Sequence, residues 1–308
     1  MTEAIFTIAV ITGIIGYLIY QKKKQGNRRD YSLGLKAAQE IQQLVRNKKF
    51  GQAESQFGQQ DLNDTSQIVN HLALSMKEEE LKEWKMSEQS DLSALCLGVF
   101  YLHMAWIERS HKLAKNVSDK SVEAFFHYLT LCEQTFDEIS GDSDWTPELE
   151  SRRIRLYMST GDTDLAMESF HRVNRQHPDF IWPYLRYAEL IQPKWGGTIE
   201  NVMAFYDSLP DDFLIHSLIE LKLINDAIVI EENYFSKYTS DIIEFAGQKI
   251  AEIDNALNSI EPQSIHKWML YNYLQVVAFE VNNKRLRNKY TKLKGDHETI
   301  YPFGLLKG

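Results

Sequence analysis

Four residues near the middle of the chain constrain its fold more than any others. Tyr157, Ala166, Phe170 and Pro178 are separated by nine, four and eight positions, with Gly161-Asp162 between the first two. That spacing predicts two helices joined by a tight turn over residues 149–178. Gly161 suits the end of the first helix, where the backbone turns left-handed, and Asp162 is placed to cap the second. Pro178 lacks an amide hydrogen and ends it. The small Ala166 lets the two helices approach, while Tyr157 and Phe170 fill the space between them.

The remainder reads as helix as well. Only 15 glycines and 7 prolines occur in 308 residues, and strand-like alternation is absent, which predicts an all-α protein. Leu35, Ala38, Ile41 and Val45 recur at helical spacing, and a helix over Thr65–Met76 is expected, capped by Asp64 or Thr65. Residues 91–110 are apolar enough to resemble a membrane span, but Asp91, His103, Glu108 and Arg109 favour a central core helix. Ser118–Ile139, Asp212–Ile230 and Ser236–Ile260 are further helices, and Pro262 opens a long one from Ser264 to Lys294. Cys96 and Cys132 sit in apolar helical patterns and read as buried thiols.

The Tyr157, Ala166, Phe170 and Pro178 spacing resembles the tetratricopeptide repeat, with departures at Glu150, Arg153 and Ile154, where that repeat has Trp, Leu and Gly. Leu44, Ala53 and Phe57 echo it, but Ala53 and Ala166 lie 113 residues apart, which is not a multiple of the repeat length. A regular array is excluded, and irregular stacked hairpins remain. After the hairpin come Trp182 and Tyr184, then Pro193-Lys194-Trp195-Gly196-Gly197, with Thr198 placed to cap a helix through Leu209. This arrangement resembles an uncharacterised bacterial family of helical-repeat proteins with a Pro-Arg/Lys-Trp-Gly-Gly-Ser/Thr turn. The resemblance covers residues 95–235 and implies a repeat-like fold with no established catalysis. Two readings of the turn stand side by side. In one, Trp195 packs between hairpins and the glycines supply positive φ and close backbone approach. In the other, Lys194 and Trp195 help form a binding pocket with Trp182 and Tyr184, and Tyr157 is a further candidate for partner contact.

Residues 4–20 contain no charge, and seventeen residues at helical rise span about 25 Å, the short end of what crosses a bilayer. Glu3 precedes the run and Lys22-Lys23-Lys24 follows it. Those flanks favour a retained single-pass anchor over a cleaved signal peptide, with the N-terminus outside and residues 22–308 cytoplasmic, at the inner membrane. Ala9, Thr12, Gly13 and Gly16 offer a small-residue face on which another span could pack. The expected organisation is a span at 4–20, a basic linker at 21–32, a helical domain at 33–296 with a possible sub-boundary near 140–146, and a tail at 297–308.

Charge is segregated. Residues 22–29 carry +5 and residues 284–294 carry +6, so removing those eleven charges from the net −9 leaves −20. An acidic body is not that of a general nucleic-acid binder. Lys22, Lys23, Lys24, Arg28 and Arg29, together with Arg285 and Lys289, are candidates for contact with anionic lipid or an acidic partner. For the C-terminal set a solvated helix end favoured by the dipole is the competing account. Leu286, Tyr290 and Leu293 give that segment an amphipathic stripe.

No phosphate-cradling loop, dinucleotide fingerprint, nucleophile elbow or zinc pattern occurs, so no cofactor, metal or catalytic residue is assigned. The expected function is a membrane-anchored scaffold that binds a protein or peptide partner. The alternatives are a structural subunit of a membrane complex that packs through its span and an enzyme with a composite, motif-free site.

Overall fold

A computed structural model describes residues 30–110, 116–230, 239–260 and 264–297. Among the described residues the chain is all-α, with fourteen α-helices and no strand beyond one isolated bridge between Asp30 and His297. The runs 4–20 and 22–29 lie outside them. No helix among the described residues is long and apolar enough to cross a membrane.

Helices α1 (Lys36–Arg46) and α2 (Phe50–Phe57) form a small hairpin beside α3 (Leu62–Ser75) and α4 (Glu78–Glu88). α3 begins a turn earlier than expected, because the Asp61 carboxylate accepts from the Asp64 amide at 2.8 Å. α5 (Asp91–Arg109) is the apolar helix that could be mistaken for a span. It is buried along most of its length and packs on α6 (Asp119–Asp137) more extensively than any other pair. Gly98 permits that approach, since a Cβ there would lie 2.4 Å from the Phe136 ring.

The expected hairpin is α7 (Thr146–Thr160) and α8 (Thr163–Gln176). Gly161 turns between them at φ +87°, and Ala166 is fully buried at the crossing. Asp162 does not cap α8; its carboxylate accepts from the Thr160 hydroxyl at 2.5 Å instead. α9 (Ile181–Leu190) follows, then the short 3₁₀ turn Pro193–Trp195, α10 (Ile199–Asp207) and α11 (Phe213–Asn225), which runs into a π-turn at Asp226–Ile230. Thr198 caps α10 through the Asn201 amide at 3.2 Å.

α12 (Thr239–Leu257) precedes the largest departure from expectation. The single long helix from Ser264 is two, α13 (Ser264–Glu280) and α14 (Lys284–Lys294), folded against each other as a hairpin. Asn282 takes the left-handed conformation at φ +55°, and the Asn283 side chain caps α14 by accepting from the Leu286 amide at 3.1 Å. Asparagine tolerates that backbone and caps well, so two in succession can break a helix.

Two apolar cores result, one built on α1–α7 and one on α7–α14 with Leu33. α7 faces both: Leu149 and Leu156 enter the first, Ile154 and Met158 the second. α3 is the hub, packing on α1, α5, α7, α9 and α13. The chain entrance is clasped to the far end of the sequence. The Asp30 amide donates to the Asp296 carbonyl at 3.1 Å, and the Asp30 carboxylate lies 2.8 Å from His297 Nδ1.

Candidate functional site

The aromatic residues singled out from the sequence do not share one surface. Trp182 and Tyr184 are buried to 2%, with Trp182 Nε1 donating to the Asn63 carbonyl at 3.2 Å and the Tyr184 hydroxyl to the Pro178 carbonyl at 3.0 Å. Their polar tips and ring faces are taken up by the fold. Tyr157 is half-buried against the second core. Trp195 is half-buried and meets Trp106 edge-on at 5.6 Å, while the Arg155 guanidinium lies 4.2 Å from the centre of the Trp106 ring. At Gly196 φ is +94°, and a Cβ on Gly197 would lie 1.8 Å from the Ile191 carbonyl oxygen. The turn therefore uses one glycine for its conformation and the other for backbone approach. The Lys194 side chain lies outside the described residues.

Behind these aromatics lies a sealed polar network. Arg152 on α7 donates from Nε to Glu148 at 2.6 Å, from Nη1 to Asn70 at 2.6 Å and from Nη2 to the Ser66 carbonyl at 2.9 Å. The Ser66 hydroxyl donates to Glu148 at 3.0 Å, and Arg186 on α9 donates to Ser151. His103 joins through Asn70 at 3.3 Å. Burial pushes the His103 imidazole well down, and the charges of Arg152, Arg155 and Arg186 push the same way. Burial likewise raises the Cys96 and Cys132 thiols, against the nearby Arg152 charge. These are strongly perturbed groups, yet all are buried, and reactive thiols need exposure. Among the described residues no group of three or more His, Cys, Asp or Glu is placed to hold a metal ion.

An apolar concavity adjoins the Pro193–Trp195 turn. A pocket of about 270 Å³ is walled by Pro193, Ile199, Val202, Leu223, Ile242 and Phe245. Its polar lining members are Gln192 and Asp226; Asp226 and the Gln192 amide nitrogen are engaged within the fold, and the Gln192 Oε1 is buried. Lys222 reaches Asp226 at 2.6 Å and Glu189 at 3.1 Å, and the Gln192 amide donates to Asp226. The walls offered to a guest are therefore apolar. Ile199 (43% exposed), Phe245 (46%) and neighbouring Met203 (62%) leave large apolar side chains in water, which a chain spends on a binding surface more readily than on stability. The π-turn at Asp226 forms part of this wall, a backbone irregularity common at functional sites. A second hollow of about 350 Å³ between α4, α5 and α6 is lined by charges already paired, Lys85 with Glu138 at 2.6 Å and Lys82 with Glu78 at 2.7 Å.

In the structure Phe205 is the buried residue of α10, and Ala246, Ile250 and Ile253 are the buried row of α12. The signal that could have revealed the pocket is apolar residues on two sides of the nine-residue α10: Ile199, Val202 and Met203 on one, Phe205 on another. Arg285 and Lys289 are both engaged by Asp254, at 3.5 and 2.6 Å. Leu286 and Tyr290, expected on an amphipathic lipid-facing stripe, are buried, and only Leu293 of that stripe is exposed. Ala9, Thr12, Gly13, Gly16, Lys22, Lys23, Lys24, Arg28 and Arg29 lie outside the described residues. Comparison with known proteins finds no matching family model, no matching curated protein and no matching solved structure.

Proposed function

We propose that this chain is a membrane-anchored adaptor built from irregular, tetratricopeptide-like hairpins. In this reading the run 4–20 holds it at the inner membrane with residues 22–308 on the cytoplasmic side. The apolar pocket beside the Pro193–Trp195 turn takes the apolar face of an amphipathic helix from a protein partner. The observation that carries the reading is a pocket with apolar walls whose Ile199 and Phe245 are exposed, with exposed Met203 one turn along the helix from Ile199. Exposed Glu200 and Glu244 adjoin rim residues in sequence, and the body is acidic, so the partner helix is basic on its polar face. Recruitment follows from anchoring, which raises the effective concentration of a bound partner at the bilayer.

The test is crosslinking and pull-down of the intact chain from its native membrane, comparing the wild type with Met203→Asp and Phe245→Asp. Met203 is largely exposed and Phe245 nearly half exposed, so melting temperatures should shift little, least for Met203→Asp. A partner captured by the wild type and lost by both variants is expected, and an unchanged partner set would remove the pocket from consideration. An assembly that survives both variants but breaks with Gly13→Leu would favour a structural subunit packing through its span. A reporter fused after Gly308 should be active in the cytoplasm; activity on the opposite side would refute the orientation.

A further inference from the structure

Beyond the apolar pocket, α10, α11 and α12 meet a second time. Each steps four residues from a pocket-lining position to a polar one: Val202 to Tyr206 on α10, Ile224 back to Glu220 on α11, and Phe245 to Lys249 on α12. Four residues at helical rise are about 6 Å, so the second level lies about one turn from the first on all three helices. There the Tyr206 hydroxyl donates to Glu220 Oε1 at 3.3 Å, and Lys249 Nζ lies 3.4 Å from the same oxygen. The Lys249 ammonium also pairs with Glu252 at 3.1 Å and sits 5.6 Å from the centre of the Phe245 ring, which joins this level to the pocket wall. α10 and α12 are therefore bridged through α11 at both levels. The strip between them is apolar at one end and charged at the other.

Charge at the far end is not balanced. Glu220 and Glu252 bring two carboxylates against the one ammonium of Lys249, and exposed Asp207 follows Tyr206. The hydrogen bond to Glu252 holds the Lys249 ammonium above its usual range, against burial, and burial holds the Tyr206 phenol up. One is therefore charged and the other neutral at physiological pH, and a negative surplus remains. Glu252, with 64% of its side chain exposed, is the carboxylate that an arriving cation meets first.

We propose that this charged level reads a lysine or arginine placed four residues from the apolar anchor, on the groove-facing side of the partner helix. The inference rests on the adaptor reading and states what that partner must carry. Residues at i and i+4 share one face of a helix and lie about 6 Å apart along it, which is the spacing between the two levels. This cation is distinct from the basic polar face that Glu200 and Glu244 favour. Those two acids adjoin the pocket level, whereas Glu220 and Glu252 fix one position relative to the anchor. An acidic side chain at that position would be repelled, so the surplus sets register as well as affinity.

The experiment uses the full chain in mild detergent and a displayed library of amphipathic helices that share a central leucine anchor and vary elsewhere. Helices retained by the wild type and lost by both Met203→Asp and Phe245→Asp are sequenced. Enrichment of lysine or arginine four residues from the anchor is expected. A synthetic peptide of the enriched sequence should lose about fivefold or more in affinity when that cation becomes glutamate, and the loss should shrink at high salt. Against Glu252→Lys, whose exposed position leaves the core untouched, the order of the two peptides should reverse. No charge preference at that position, or an unchanged order against Glu252→Lys, overturns the proposal and leaves the pocket as a docking site. If no helix distinguishes the wild type from the two pocket variants, the pocket reading falls and this inference with it.

Discussion

Gly161 and Gly197 both sit in turns, and alanine should affect them differently. At Gly161 a Cβ meets nothing within 4 Å, and the only penalty is φ +87°. Gly161→Ala is expected to cost about 1–2 kcal/mol. At Gly197 the Cβ would sit 1.8 Å from a backbone oxygen that cannot swing aside. Gly197→Ala should exceed the ~1–3 kcal/mol of ordinary overpacking and displace the turn that walls the pocket. Denaturant titration of the two variants checks this, and equal losses would show that the Ile191 backbone yields. Three histidines set a second expectation at this scale. Burial lowers the imidazoles of His71, His103 and His266; Asp30 opposes it at His71 and Arg46 adds to it, while Asp212 and Asp61 oppose it at His266. As pH falls below about 6.5 the unfolded chain takes up protons that the folded chain refuses, so stability drops by up to about 1.4 kcal/mol per pH unit for each histidine. Asp64 works the other way. Burial, then the Asp61 charge, raises its carboxyl to about 6, so protonating it favours the folded state. One carboxyl against three imidazoles leaves a net loss. Melting temperature should fall between about pH 7 and pH 5, less steeply in His103→Gln, and a rise over that range would contradict the assignment.

At the scale of elements, the sequence was legible where a helix needs one face and one stop signal. The α7–α8 hairpin, the α5 core helix and the Thr198 cap all followed from local spacing and end chemistry. The break at Asn282-Asn283 was not legible, because nothing local distinguishes two asparagines in a turn from two on a solvated helix face. The site suffered similarly. Aromatics at Trp182 and Tyr184 look the same in sequence whether they line a pocket or fill a core, and only the surrounding helices decide. Polar α7 is the least expected buried element. Glu148, Ser151 and Arg152 are interior because α3 and α9 supply partners from roughly eighty residues upstream and thirty-five downstream. Breaking that network should be costly. Arg152→Met strands the buried Glu148 carboxylate and is expected to lose about 3–5 kcal/mol, measured by chemical denaturation. The double variant Arg152→Met with Glu148→Gln should recover part of that loss; no recovery would mean that shape rather than stranded charge is responsible.

For the whole molecule, the clasp and the hub make the stack something other than a linear array. In a solenoid each repeat touches only its neighbours, and stability is a sum of local terms. Here α3 touches α1 near its own place in the chain and α13 near the far end, and Asp30 meets His297. Burial opposes ionisation of Asp30, but hydrogen bonds from Ser32 and the His297 charge outweigh it and hold its carboxyl below the usual range. Unfolding should therefore be cooperative across both cores.

The central position of α3 also has a consequence for biosynthesis. Its last residue, Ser75, leaves the ribosome 189 residues before Ser264 opens α13. At ordinary elongation rates that is an interval on the order of ten seconds or more. Throughout it, the face of α3 that α13 will cover lacks that native neighbour, and for the first part of it Asn70 also lacks its Arg152 partner. A nascent chain in that state is a natural client for a chaperone at the tunnel exit.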